Sequence, residues 1–256
     1  MDAAGRDREI QVLHGDPRPA PPVAELLAEP AGLDHQVSGH ADVTIDGAER
    51  LAGSGDPLGV LGGGLAAMDT KEALGRYLAE QRSALLLKVD GLSERDARLP
   101  RTPTGTNLIG IVKHCMNVEY GYFGPTFGRT LDDPSALVPD EAYDSDPQAD
   151  WYATADETVA GILDTYREVQ AFCDETIASL PLEAPGRVPW WGDRGDVTLG
   201  RVLVHVIADL ARHAGHADIL REQLDGAVGD RAPGDNVPDV DFAAYVAKLT
   251  ELADRS

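Results

Sequence analysis

Every Phe, Trp and Tyr of this chain lies after residue 67. A packed core can therefore form only downstream of that point. Residues 1–67 are rich in Pro, Gly, Ala and Asp, with Pro17, Pro19, Pro21, Pro22 and Pro30 followed by Gly62–Gly64. Such a segment buries too little apolar surface to offset the entropy lost on ordering, and it is expected to be a disordered extension. A faint strand-turn pattern over 36–55, around Val43-Thr44-Ile45, is marginal as a lone hairpin. His14, His35 and His40 share no helical register and no neighbouring cysteine. Met68-Asp-Thr-Lys reads like a second protein start, and the boundary is placed there.

From Met68 onward the apolar residues recur at helical spacing. Asp69 or Thr70 can cap a helix over 70–92 carrying Leu74, Leu78 and Leu85. Asn107 can cap a second, to about Phe123, with Leu108, Ile111, Val112 and Cys115. A third runs over about 154–180 through Ile162, Tyr166 and Val169. Thr198 opens a fourth that ends near Leu224, before Asp225-Gly226. Ser93-Glu-Arg-Asp reads as a polar turn, and 125–147 as a long acidic connection. Residues 181–196 read as a loop containing Pro189-Trp190-Trp191. A last amphipathic helix covers 242–253. Strand signals are scarce. Four long helices with these connections predict an all-α, antiparallel four-helix bundle over 68–256.

The charge narrows the function. A net charge of −22 opposes non-specific binding to nucleic acid or anionic membrane, which rests on clustered Lys and Arg. No apolar run approaches the ~20 residues that span a bilayer. The opening residues lack the basic-then-apolar pattern of a signal peptide. Two cysteines, Cys115 and Cys173, make no disulfide framework, and a reducing cytoplasm is the simpler compartment. Cys115, beside His114 in an apolar helix, is either a reactive thiol or a small buried hydrophobe.

Chemistry concentrates in the fourth helix. His205, Asp209 and His213 are spaced i, i+4, i+8 and so lie on one stripe, with His216 near it. The residues between them are mostly apolar, so the stripe is expected to face inward. An unpaired carboxylate beside unpaired imidazoles is costly to bury, and a divalent metal removes that cost. Asp209 and His213 can reach one ion from adjacent turns. Two other readings stay open: each histidine can be a core residue bonded to a carbonyl, and Asp209 can pair with Arg212. A third ligand must come from another helix, and His114, flanked by Val112, Cys115 and Met116, can point inward from the second. Two histidines and one carboxylate leave coordination positions open, as a catalytic metal needs.

Two blocks carry a family resemblance. One is Asn107-Leu-Ile-Gly-Ile-Val-Lys-His114, followed by Val118-Glu119 and Tyr122-Phe123-Gly124. The other is Thr198-Leu-Gly-Arg-Val-Leu-Val-His205, followed by 211–226. Together they resemble the DinB/YfiT-like superfamily over about residues 68–226, in the actinobacterial branch related to mycothiol-dependent enzymes. The resemblance implies a four-helix bundle holding a divalent metal, usually zinc or nickel, on three side chains. Its second-helix histidine matches His114. Its last-helix pair matches Asp209 and His213, with a departure: Asp209 stands where related sequences usually carry Glu or His. His205 and His216 are then expected to orient ligands or bond backbone.

The resemblance implies a metal-dependent transferase using a low-molecular-weight thiol such as mycothiol on a small electrophile, with a homodimer compatible. The alternatives are a metal-dependent hydrolase and a non-enzymatic metal-binding stress or sequestering module. A non-haem iron oxygenase shares the ligand set, but its usual β-barrel conflicts with the helical pattern. Trp190, Trp191, Tyr122 and Phe123 are candidates for the cavity mouth. An enzyme keeps a solvent-reachable cavity beside the histidines, whereas a structural module closes it with apolar side chains. A shortened chain starting at Met68 should keep its helical circular dichroism and melt in one transition. Loss of cooperative melting would show that residues 1–67 contribute to the fold.

Overall fold

The computed structural model describes residues 69–230 and 232–255. The expectations for 1–67, including the hairpin and His14, His35 and His40, lie outside the described residues. Seven helices follow in order: α1 (Thr70–Leu87), α2 (Glu94–Arg98), α3 (Leu108–Phe123), α4 (Ala142–Ser145), α5 (Val159–Ser179), α6 (Leu199–Asp225) and α7 (Phe242–Asp254). Two three-residue strands, β1 (Pro185–Arg187) and β2 (Asp196–Thr198), lie between α5 and α6. The fold is all-α, a bundle of the four long helices α1, α3, α5 and α6. Helix α3 packs on both α5 and α6, and α1 packs along α6.

The helix starts follow local chemistry. Asp69 accepts from the Glu72 amide at 2.8 Å, and Asn107 accepts from the Gly110 amide at the same distance. Thr158 and Thr198 cap α5 and α6 in the same way. Each satisfies an amide that has no partner inside its helix. Helix α6 ends at Gly226, whose φ of 75° is left-handed and favours glycine there. Helix α1 ends at Leu87 rather than at residue 92, and Ser93 caps the short α2 where a polar turn was expected. Helix α5 starts at Val159, later than residue 154, because Thr158 provides the cap.

The core is aliphatic. Leu78 and Leu85 of α1, Ile109 and Val112 of α3, Val169 of α5, and Leu203 and Leu210 of α6 are nearly or fully inaccessible. A buried charged network lies among them. Glu119 of α3 is 0% exposed, and its Oε2 accepts from Arg82 Nε at 2.8 Å and Nη2 at 2.6 Å. Its Oε1 accepts from the Tyr166 hydroxyl at 2.5 Å. Arg82 also donates to Asp174 at 2.6 Å. The network ties α1, α3 and α5 together. Burial, then the Glu119 charge, pushes the Tyr166 phenol well up, so it remains a donor.

The 181–196 region differs from the loop expected. β1 and β2 pair antiparallel, Gly186 opposite Val197, and enclose a 3₁₀ turn over Pro189–Arg194. Strands this short carry too few residues to show alternation. A Cβ on Gly186 would lie 2.6 Å from the Phe127 ring, so the close contact requires glycine. Helix α7 matches the expected amphipathic segment, but none of its residues is buried. No helix among the described residues is long and apolar enough to cross a membrane.

Replacing Arg82 with Ala leaves the Glu119 carboxylate buried without its cation. Breaking a buried pair in this way costs about 3–5 kcal/mol. Denaturant unfolding should show a loss of that size, against a smaller loss for Tyr166→Phe.

Candidate metal centre and cavity

Three side chains from two helices meet at the α3–α6 contact. His114, Asp209 and His213 each offer one ligand atom, and these atoms all lie within 4.8 Å of one another. Asp209 Oδ1 is 3.6 Å from His213 Nε2, beyond hydrogen-bond range. The two imidazoles meet edge to face, with centroids 4.9 Å apart. Ligands of one tetrahedral zinc sit roughly 3.3 Å apart, so small side-chain rotations would close the set. The i, i+4 spacing on α6 supplies two members, and the packing of α3 on α6 supplies the third.

The donor chemistry fits a divalent ion. His213 is buried, its Nδ1 makes no hydrogen bond, and its Nε2 meets only the long contact to Asp209. A buried imidazole nitrogen without a hydrogen bond is costly, and ligation of the ring would offset that cost. Burial holds the His213 pKa below its ordinary value; Asp209 opposes this, and His114 and His216 add to it. The neutral ring, with its lone pair, is therefore the favoured form, as a metal ligand requires.

His114 is held differently. Its Nδ1 is 2.8 Å from Asp150 Oδ2, and its ring stacks on Trp151 with centroids 4.0 Å apart and planes 19° apart. Asp150 is buried. Both partners come from the connection between α4 and α5, where the sequence shows no periodicity and a lone aspartate among many acidic residues carries no distinguishing signal.

The remaining expectations divide. His205 belongs to the wall beyond the cluster: its Nε2 is 2.9 Å from the Tyr122 hydroxyl, and desolvation of its inner side lowers its pKa. Burial raises the Tyr122 phenol. His216 is exposed, with its ring 5.7 Å from that of His213. Asp209 faces His213 rather than serving as a simple surface partner of Arg212. Cys115 is fully buried, and burial pushes its thiol well up. Cys173 is the same. Neither is a reactive thiol. Phe123, expected near the cavity mouth, is 0% exposed in the core instead.

A cavity of about 780 Å³ opens beside the cluster. His114 and Asp209 line its floor; Tyr122, Tyr143, Trp190 and His205 are among its walls. Trp190 reaches it from the 3₁₀ turn by lying over Gly121, where a Cβ would come within 3.0 Å of the indole. Its ring meets Tyr122 edge to face at 5.0 Å. Asp140, Asp150 and Asp209 contribute the wall's carboxylates, and no Lys or Arg lines it among the described residues.

Fold and site together define a helical-bundle protein with a two-histidine, one-carboxylate cluster, two members of which, His114 and Asp209, line an open cavity. A family model described as mycothiol-S-transferase matches residues 73–226, and the chain belongs to that family. A crystal structure of a conserved protein from Enterococcus faecalis is similar at 15% identity and a TM-score of 0.43, covering 62% of this chain and 99% of that one. That likeness is too slight to bear on fold or function. No curated protein matches the chain.

His213→Ala should remove bound metal from untagged protein, as read by elemental analysis, while helical circular dichroism is retained. Unchanged metal content would mean that the three side chains do not form a site.

Proposed function

We propose that the protein is a metal-dependent S-transferase that joins an uncharged low-molecular-weight thiol, mycothiol or a close analogue, to a small electrophile. The observation that carries this reading is the open cavity beside His114 and Asp209, which a purely structural site would fill with apolar side chains. His114, Asp209 and His213 would hold the ion, zinc or nickel by their donor set. A divalent ion there would supply the positive charge that lowers a thiol's pKa and favours thiolate at neutral pH.

The protein's own residues account for the rest. Both of its cysteines are buried with raised pKa values, so the reacting sulfur must come from a small molecule. His205, kept neutral by desolvation, opens into the cavity and can take up the proton that the thiol releases. The aromatic faces of Tyr122, Tyr143 and Trp190 suit an apolar or aromatic electrophile. A wall with carboxylates and no Lys or Arg disfavours an anionic thiol such as glutathione and tolerates an uncharged sugar thiol.

The test uses metal-loaded protein with mycothiol and 1-chloro-2,4-dinitrobenzene. The sulfur–carbon bond forms as the carbon–chlorine bond breaks, and chloride leaves. Conjugate should form above the uncatalysed rate, fall to that rate in His213→Ala, and form at least about tenfold more slowly with glutathione, a difference of about 1.4 kcal/mol in barrier. No conjugate across several electrophiles, with metal bound, would favour the non-enzymatic binding module instead.

A further inference from the structure

We infer that Asp150 is a positioning residue for the metal cluster, fixing the tautomer and orientation of His114 before any ion binds. This role rests on the metal reading above and extends it to a residue outside the three ligands.

Residues 150–152 are seated directly on α3. Asn107 has two tasks. Its Oδ1 caps the Gly110 amide, and its Nδ2 donates to the Trp151 carbonyl at 3.0 Å. Gly110 allows that approach, since a Cβ there would lie 1.9 Å from the same carbonyl oxygen. One turn further on, the buried Lys113 donates to the Tyr152 carbonyl at 3.2 Å and to Glu157 at 2.9 Å. The backbone that follows Asp150 is therefore held by α3 itself, at the Trp151 and Tyr152 carbonyls.

This seating places two groups on one ring. With Asp150 as a carboxylate, which has no proton to donate, the 2.8 Å contact to its Oδ2 calls for the proton on His114 Nδ1. That leaves Nε2 bare as the ligating nitrogen. The Trp151 indole, 4.0 Å away and nearly parallel, restricts rotation of the ring. His213 has no comparable partner: its Nδ1 is buried without a hydrogen bond. The cluster thus pairs one preset imidazole with one free to adjust. A carboxylate on the distal nitrogen also makes the ligating nitrogen more basic, and losing such a partner typically weakens metal binding about 10–100-fold.

The experiment compares the full-length parent, Asp150→Asn and His213→Ala. Zinc affinity is read by competition with a chromophoric chelator. The His114 tautomer in metal-free protein is read from ring ¹⁵N shifts. Asp150→Asn should weaken zinc binding about 10–100-fold and convert a single Nδ1–H tautomer into a mixture, with the melting temperature within a few degrees of the parent. If that variant does not fold, Asn107→Ser reads the same device from outside the cluster. Serine keeps the cap but gives up the bond to the Trp151 carbonyl, and zinc affinity should fall several-fold with the tautomer no longer single. A parent that binds zinc, loses it in His213→Ala and keeps it unchanged in Asp150→Asn overturns the role of Asp150 while leaving the metal site standing. A parent that binds no zinc overturns both.

Discussion

Helix α3 is enclosed on nearly every side, and every polar group it carries must find a partner inside the protein. That constraint organises the rest of the structure. Asn107 at its start, Lys113 and His114 in its middle and Glu119 near its end all find partners on other elements. Glu119 recruits Arg82 and Tyr166, which binds α1 and α5 to α3. Lys113 and Asn107 recruit the backbone before α5. His114 meets Asp150, Trp151 and the α6 pair.

The two charged clusters that α3 enters, one around Glu119 and one shared with α6, differ in a way that separates stability from chemistry. Around Glu119 the partners are complete: both carboxylate oxygens are bonded, and Arg82 Nη1 also donates to Asp174. Around His213 they are not, since one ring nitrogen is bare and the other meets a carboxylate at 3.6 Å. A satisfied buried network holds helices in register. An unsatisfied one beside an open cavity is the arrangement that a ligand completes. The same helix therefore carries a structural network toward its C-terminal end and a candidate reactive one a turn earlier.

The connections do the work of shaping the cavity. The segment before α5 supplies Asp150 and Trp151, and the hairpin turn supplies Trp190. Gly110 leaves the room that the first approach requires, and Gly121 eases the second. Rigid helices present the three candidate ligands, while loops clamped to those helices decide what can reach them.

The sequence by itself determined the four long helices and several of their caps, because capping and 3.6-residue periodicity are local. Asp69, Asn107, Thr198 and Gly226 could each be read from a few neighbours. It also contained the candidate ligands His114, Asp209 and His213, two of them through helical spacing on α6. Other features depend on which distant segments touch, and only the tertiary structure decided them. No local pattern marks Asp150 as the partner of a histidine 36 residues away, or Arg82 as the partner of Glu119. Phe123 and Tyr122 are adjacent in sequence and alike in composition. One is sealed in the core and the other lines the cavity, because successive residues on a helix point about 100° apart and only the packing of α3 determines what each direction meets.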